Sequence, residues 1–508
     1  MRVWSGGAGM GSTGALSAIV SSLAAFRADE VPCLFAMRKA GKHREVRPED
    51  PDMEWCYDVL VRVSRSFAIV IQQLDPKLRD AVCLFYLVLR GLDTVEDDMK
   101  IEINLKLKML RGFTGYIEDP EWRYTPPGTT GHYLELMEQF PKVTRSYLKL
   151  DKPLRDVISD VTGRMAEGMA EFVIRDKDGV RVESLADYDK YCHYVAGLVG
   201  IGLSNLFFAS GLEMKWFKGN EYESNQMGLF LQKVNITRDY LEDIVEVPPR
   251  AFWPKAIWGK YADNLEDFQV PRKREDALRA LNDMVTDALQ HAPVCLTYME
   301  HVRTPSVLRF CAIPQIMAIA TLAEIYGNPR VFQGVVKIRK GLSAKIVVKT
   351  EDIMWVYGAF WTFARRIRRR AKSSTNPSDA EARGATIEAC TKIIAICGRK
   401  LRVPDLDVED VDSRPGVAAA VSFFAASCQG YYLLLKEVGA NRRPGIPLLT
   451  RDEAVQGALS LYRKSHSWAA LHERGLGADL VSMFIFVLLT LIGTYFALTR
   501  MGLTRREM

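Results

Sequence analysis

The chain has 508 residues and a formal net charge of +6, with 48% hydrophobic and 26% charged residues. That length supplies a large core, and so small a basic excess speaks against a nucleic-acid partner. Nine cysteines without a C-x-x-C pair, and seven histidines without H-E-x-x-H, speak for reduced thiols and against a disulfide framework or a zinc site.

Residues 1–43 read as a flexible leader. Its "GMGSTG" (9–14) has the G-x-G-x-x-G form, but "MRVWSGGA" before it is not the strand that dinucleotide binding requires. From 44 to 438 apolar residues recur every three or four positions and strand-like alternation is scarce, so an all-α domain is expected. Breaks are predicted at "TPPG" (125–128), "VPPR" (247–250) and "SSTNPSDAEARGA" (373–385). The first conspicuous helix, "FYLVLRGLDTVEDDM" (85–99), runs from apolar residues straight into acid. Next comes "VAGLVGIGLSNLFFASGL" (195–212), eighteen uncharged residues with many glycines and serines. Two readings of it stand side by side: a trough for a long apolar ligand, or close helix–helix packing. "LFLQKVNITRDYLEDI" (229–244) repeats the apolar-then-acidic design, and "RFCAIPQIMAIATLAEIY" (309–326) adds a second apolar lining. "RRIRRRAK" (365–372) reads as a solvated face, with attraction to anionic headgroups as the functional alternative. Residues 439–479 look like a tether. Then "LVSMFIFVLLTLIGTYFAL" (480–498) gives 19 residues without a charge, the length of a membrane span, followed by a short tail (499–508) carrying Arg500, Arg505 and Arg506. A span so near the end implies post-translational insertion with the bulk of the chain in the cytosol.

The two acidic helices carry the chemistry. Asp93-x-x-Glu96-Asp97 and Asp239-x-x-Glu242-Asp243 share the pattern D-x-x-E-D, 146 positions apart. In each, two aspartates stand at i and i+4 on one helical face, with Cβ atoms about 6 Å apart. Tyr86 and Arg90 extend the first polar line backwards, and Gln232 and Asn235 extend the second. Buried carboxylates are costly alone, so these lines must face a wet cavity or metal ions. Mg2+, or Mn2+, fits a site of few carboxylates completed by substrate phosphates. An EF-hand is excluded by the missing calcium loop. Metal on a diphosphate makes it a better leaving group, which suits ionisation of an allylic diphosphate in a dry apolar pocket. Phe67 and the two apolar segments supply such a lining.

Six segments in order, "VSRSFAIVIQQL" (63–74), "FYLVLRGLDTVEDDM", "YDKYCHYVAGLVGIGLS" (188–204), "GLFLQKVNITRDYLED" (228–243), "FCAIPQIMAIATLA" (310–323) and "VKIRKG" (336–341), strongly resemble squalene synthase, also called farnesyl-diphosphate farnesyltransferase. The likeness runs from about Trp55 into the 430s. It implies a single isoprenoid-synthase helical domain around a central cavity, acting as a monomer. The implied reaction joins two farnesyl diphosphates into presqualene diphosphate and reduces it with NADPH to squalene. The implied setting is the endoplasmic reticulum membrane, with a tail anchor and the catalytic domain in the cytosol. By the same resemblance Asp93, Glu96, Asp97, Asp239 and Asp243 hold metal and diphosphate, Tyr191 serves the first half-reaction and Phe310 the second. Ser64, Arg65, Phe67, Tyr86, Arg90, Gln232, Asn235 and Arg238 are expected at the substrate. Arg65, Arg90, Arg238, Lys337 and Arg339 are expected at the diphosphate or NADPH. Gly91, Val234 and Glu324 depart from the usual alanine, threonine and apolar residue. Competing readings are a relative that stops at presqualene diphosphate or forms another triterpene, and a membrane-anchored helical adaptor with a dead site; the intact polar set argues against the adaptor.

Overall fold

The computed structural model describes residues 28–42, 48–64, 66–177, 182–246, 252–373 and 379–403. No strand occurs among them, as the periodicity predicts. The chain divides into two units, and residues 36–410 belong to the one that carries the helical body. Of the other unit, only Ala28–Glu30 and the start of helix Val31–Lys42 are described. The expected leader therefore ends in helix, with Val31, Cys33 and Leu34 buried. Arg65, the tether, the span at 480–498 and the tail lie outside the described residues.

The main helices are α1 (Pro51–Ser64), α2 (Pro76–Asp97), α3 (Ile103–Tyr116), α4 (Lys152–Lys177), α5 (Leu185–Cys192), α6 (Leu198–Ala209), α7 (Glu221–Arg238), α8 (Arg274–Leu289), α9 (Ala292–His301), α10 (Pro305–Ile325), α11 (Lys340–Lys349), α12 (Ile353–Ser373) and α13 (Ala380–Leu401). Helix α7 is the hub, packing against α5, α6, α8, α9 and α10. A helix surrounded in this way is buried around most of its girth, and even Lys233 on it is 1% exposed.

Local chemistry sets the ends. Asp75 accepts from the Lys77 N–H at 3.0 Å and Pro76 opens α2. At the far end Asp98 takes the Gly128 N–H at 2.7 Å and the Thr129 hydroxyl at 2.9 Å, so this acid of the run anchors the "TPPG" loop. Buried Glu213 accepts the N–H groups of Arg303 and Thr304, the latter at 2.8 Å, and starts α10 with a negative charge at its positive end.

The glycine-rich segment resolves in favour of both readings. A Cβ on Gly200 would lie 2.2 Å from the Ser224 carbonyl oxygen, and one on Gly228 2.1 Å from that of Ala196. The glycines thus bring α6 and α7 into backbone contact, while Val199, Gly200 and Leu203 also line a cavity. The helical run Leu185–Ala209 and α10 are both apolar and long enough to cross a membrane, but 61% and 83% of their apolar windows are buried in the body. They are core helices here.

Candidate active site

Two cavities meet end to end beside α7. The first is a cleft lined by Asp93, Glu96 and Asp97 from the end of α2, and by Gln232, Asn235, Asp239 and Asp243 from α7 and the short helix after it. Tyr191 stands on its wall. The second is apolar: Phe67, Leu203, Phe207, Leu231, Phe310 and Pro314 are among its walls. Gln232 and Asn235 line both, so the acidic cleft and the apolar cavity adjoin at these two amides.

The second acidic helix differs from expectation in one detail. Helix α7 ends at Arg238, and Asp239, at φ −91° and ψ 14°, separates it from Tyr240–Ile244. The Asp243 N–H still reaches the Asp239 carbonyl at 3.0 Å, so the i,i+4 register survives the break.

Burial and pairing govern the electrostatics. Asp93 is 1% exposed and Asp239 6%. Arg90 reaches Asp93 at 3.6 Å and Asp97 at 3.2 Å, and its guanidinium lies 4.5 Å from the Tyr133 ring centroid. Burial opposes the Arg90 charge, yet Asp93 and Asp97 hold its pKa above the ordinary value. Arg238 donates two hydrogen bonds to Asp239, at 2.7 and 2.6 Å, in fork geometry. Each acidic helix thus has its own arginine, and a phosphate would compete with the carboxylates for it.

Tyr191 is held by aromatic contacts. Phe252 stacks on it with centroids 4.2 Å apart and planes 8° apart, and Phe172 meets it edge-on at 5.1 Å. A π-turn, His193–Gly197, follows directly and supplies Val195 to the acidic cleft and Ala196 to the apolar cavity. Tyr86 is half-buried against Phe67, with centroids 6.3 Å apart, and burial pushes its hydroxyl pKa up.

Other predicted residues stand elsewhere. Ser64 is buried and donates to the Leu60 carbonyl at 2.8 Å, and it lines neither cavity. Lys337 is exposed and Arg339 half-buried on the extended stretch before α11, outside the walls of both the cleft and the apolar cavity. Sequence reasoning missed Met169, Ile236, Glu246 and Phe252 in the cleft and Tyr298 in the apolar cavity, while the expected lining segment 309–326 supplies Phe310, Cys311, Pro314 and Gln315. Glu246 continues the acidic line three positions beyond Asp243, a signal that was available.

The donor set fits a hard cation shared with a ligand. Among the described residues no three acids converge on one point, which suits Mg2+ bound by one or two carboxylates plus phosphate. Asn235 carries the most direct sign of a missing polar group: it is 5% exposed, and both its side-chain oxygen and nitrogen lack a hydrogen-bond partner.

An all-α body with two acidic helix ends over an apolar cavity defines an isoprenoid-synthase fold. The Squalene/phytoene synthase family profile matches residues 60–341. "Squalene synthase BSS" of Botryococcus braunii is 47% identical over 403 residues, covering 78% of this chain and 86% of that protein. "Squalene synthase 1" of Arabidopsis thaliana is 48% identical over 375 residues, covering 73% and 88%. A solved structure of TcSQS with a bound ligand superimposes with a TM-score of 0.64 at 45% identity, covering 67% of this chain and 99% of that one. The chain belongs to the squalene/phytoene synthase family.

Proposed function

We propose that this chain joins two farnesyl diphosphates to presqualene diphosphate and reduces that product to squalene with NADPH. Its kinship with squalene synthases across most of the chain makes it a farnesyl-diphosphate farnesyltransferase of isoprenoid and sterol biosynthesis. The observation that carries the site reading is the adjacency of the acidic cleft and the apolar cavity, which share Gln232 and the unpartnered Asn235 as lining. A prenyl diphosphate has the same division, an anionic head and an apolar tail.

Asp93, Glu96, Asp97, Asp239 and Asp243 would hold Mg2+ with the diphosphate. Bound there, the metal neutralises charge on the leaving group. Arg90 and Arg238, now on carboxylates, are placed to pair with phosphate oxygens as these arrive. Asn235 orients the head group at the boundary. Tyr191, on the cleft wall, has a hydroxyl that can hold or accept a proton and a ring that can face a cation. Phe207, Phe310 and Leu203 exclude water from the tail, so that a carbocation is not quenched before reduction. Lys337 and Arg339, outside both cavities, would offer two cations to the phosphates of a dinucleotide. The uncharged run at 480–498 supports a membrane anchor, and the kinship with squalene synthases is the support for assigning it to the endoplasmic reticulum with the helical body in the cytosol.

The test is product analysis by gas chromatography–mass spectrometry after incubating the protein with farnesyl diphosphate and Mg2+, with and without NADPH. Squalene only with NADPH, and presqualene diphosphate without it, is the expected result. Presqualene diphosphate under both conditions, or another hydrocarbon, would move the second step to a different reaction.

A further inference from the structure

Tyr191 sits between two polar ties that run from its own segment to the hub helix. Asp189, two residues before it, lies 2.5 Å from the Lys233 ammonium, which is 1% exposed and also reaches Asp287 of α8 at 2.7 Å. His193, two residues after it, places Nδ1 2.8 Å from the Asn225 side-chain oxygen. Since an amide oxygen accepts, Nδ1–H donates. Both anchors, Asn225 and Lys233, belong to α7, and the same helix carries Gln232 and Asn235 into the cleft.

The spacing gives the ties a purpose. Asp189 and His193 stand at i and i+4 and so share a helical face. Tyr191 is two positions from each, about 200° around the helix, which puts it on the opposite face. Helix α5 has only eight residues and passes into a π-turn. Together with that turn and α6 it forms one helical run, Leu185–Ala209, and the two ties fix this run against α7 on either side of Tyr191, where the regular α-ladder gives way to the π-turn.

We infer that Asp189 and His193 are positioning residues: by fastening one face of the Tyr191 segment to Lys233 and Asn225 of α7, they fix the direction in which the tyrosine, on the other face, meets the acidic cleft that Gln232 and Asn235 of the same helix line. The inference rests on the reading of Tyr191 as a residue of the reaction. The bland alternative is that the Lys233 cluster and the His193–Asn225 pair only hold the helices together. That alternative predicts loss of stability with normal turnover of the folded molecules.

Steady-state turnover of farnesyl diphosphate by the full chain, with Mg2+ and NADPH, separates the two, with thermal melting recorded in parallel. Asp189→Asn and His193→Ala should each lower kcat about 10- to 100-fold, the scale of a small misplacement of a reacting group. KM should stay within about twofold of wild type, because the groups that bind the head are untouched. His193→Asn should recover most of the loss, since its amide N–H can donate to Asn225 from the position of Nδ1. Asn225→Ala cuts the second tie from the α7 side at a half-buried position and should reproduce the His193→Ala result if that variant does not fold. Unchanged kcat with a lowered melting temperature in the Asp189 and Asn225 variants overturns the inference. Tyr191→Phe distinguishes the two layers. Wild-type kcat in that variant would remove the tyrosine's role itself; impaired kcat there, with normal kcat in the tie variants, would remove only the positioning role.

Discussion

Gly91 stands where relatives are expected to carry alanine, and the structure gives the reason: a Cβ there would lie 2.7 Å from the Phe140 ring and 3.3 Å from that of Phe113. Glu324, the polar one of the three departures, pairs with Arg366 at 2.7 Å. The acids at 93, 97, 239 and 243 were legible because an apolar run ending in i,i+4 carboxylates has few other uses. Met169 and Phe252 were not, because single apolar residues in such a chain carry no mark of facing a cleft. His291 was silent in sequence too, yet it has a measurable consequence. Its Nδ1 bonds the Gln226 amide oxygen and its Nε2 has no partner. Burial, helped by nearby Lys233, lowers its pKa to about 3, and its place before α9 adds the repulsion of a helix N-terminus. The unfolded chain takes up this proton near pH 6.5 and the folded chain does not. Stability from this group is therefore complete above pH 6.5 and falls as pH drops towards 3, by about 1.4 kcal/mol per pH unit. Urea unfolding at pH 7.5 and 5.5 should show that decrement in wild type and lose it in His291→Gln. An equal pH slope in both proteins would refute the assignment.

Among elements, the contact of α6 and the π-turn with α7 matters most, because both cavities are lined along it. Gly228→Ala tests it. On helix propensity alone the change should stabilise by up to about 1 kcal/mol. Its new Cβ, however, would lie 2.1 Å from the Ala196 carbonyl oxygen and 2.7 Å from the Gly197 nitrogen, and backbone atoms cannot step aside. The helices must part, at a cost of about 1–3 kcal/mol and with loss of turnover. Gly358→Ala in α12, where a Cβ meets nothing within 4 Å, should be neutral or slightly stabilising under the same denaturant titration. Similar melting shifts in the two variants would contradict this account of the crossing. The basic run of α12 shows an element misread from sequence. Expected as a solvated face, "RRIRRRAK" buries Ile367, Arg368 and Ala371. Arg370 donates to the carbonyls of Ala323 and Tyr326, and Arg366 holds Glu324, so the run serves the C-terminal end of α10. The partner lies more than forty positions away in sequence, beyond what a local charge pattern can report.

For the whole molecule, the all-α body and the paired acidic ends could be read from periodicity and spacing, while the join between cleft and cavity could not. That join depends on where α5, α6 and α10 cross α7, which is a matter of glycine contacts and tertiary ties. The central claim is that one site takes an anionic head through metal at one end and an apolar tail at the other. Calorimetric titration of the full chain in detergent with farnesyl thiodiphosphate, a substrate analogue that resists ionisation, tests it most directly. With Mg2+ present, binding should be tight in wild type and about 100-fold weaker or more in both Asp93→Asn and Asp239→Asn; with a chelator in place of Mg2+ it should be lost. Equal affinity with and without the metal, or wild-type affinity in either variant, would contradict the two-helix site.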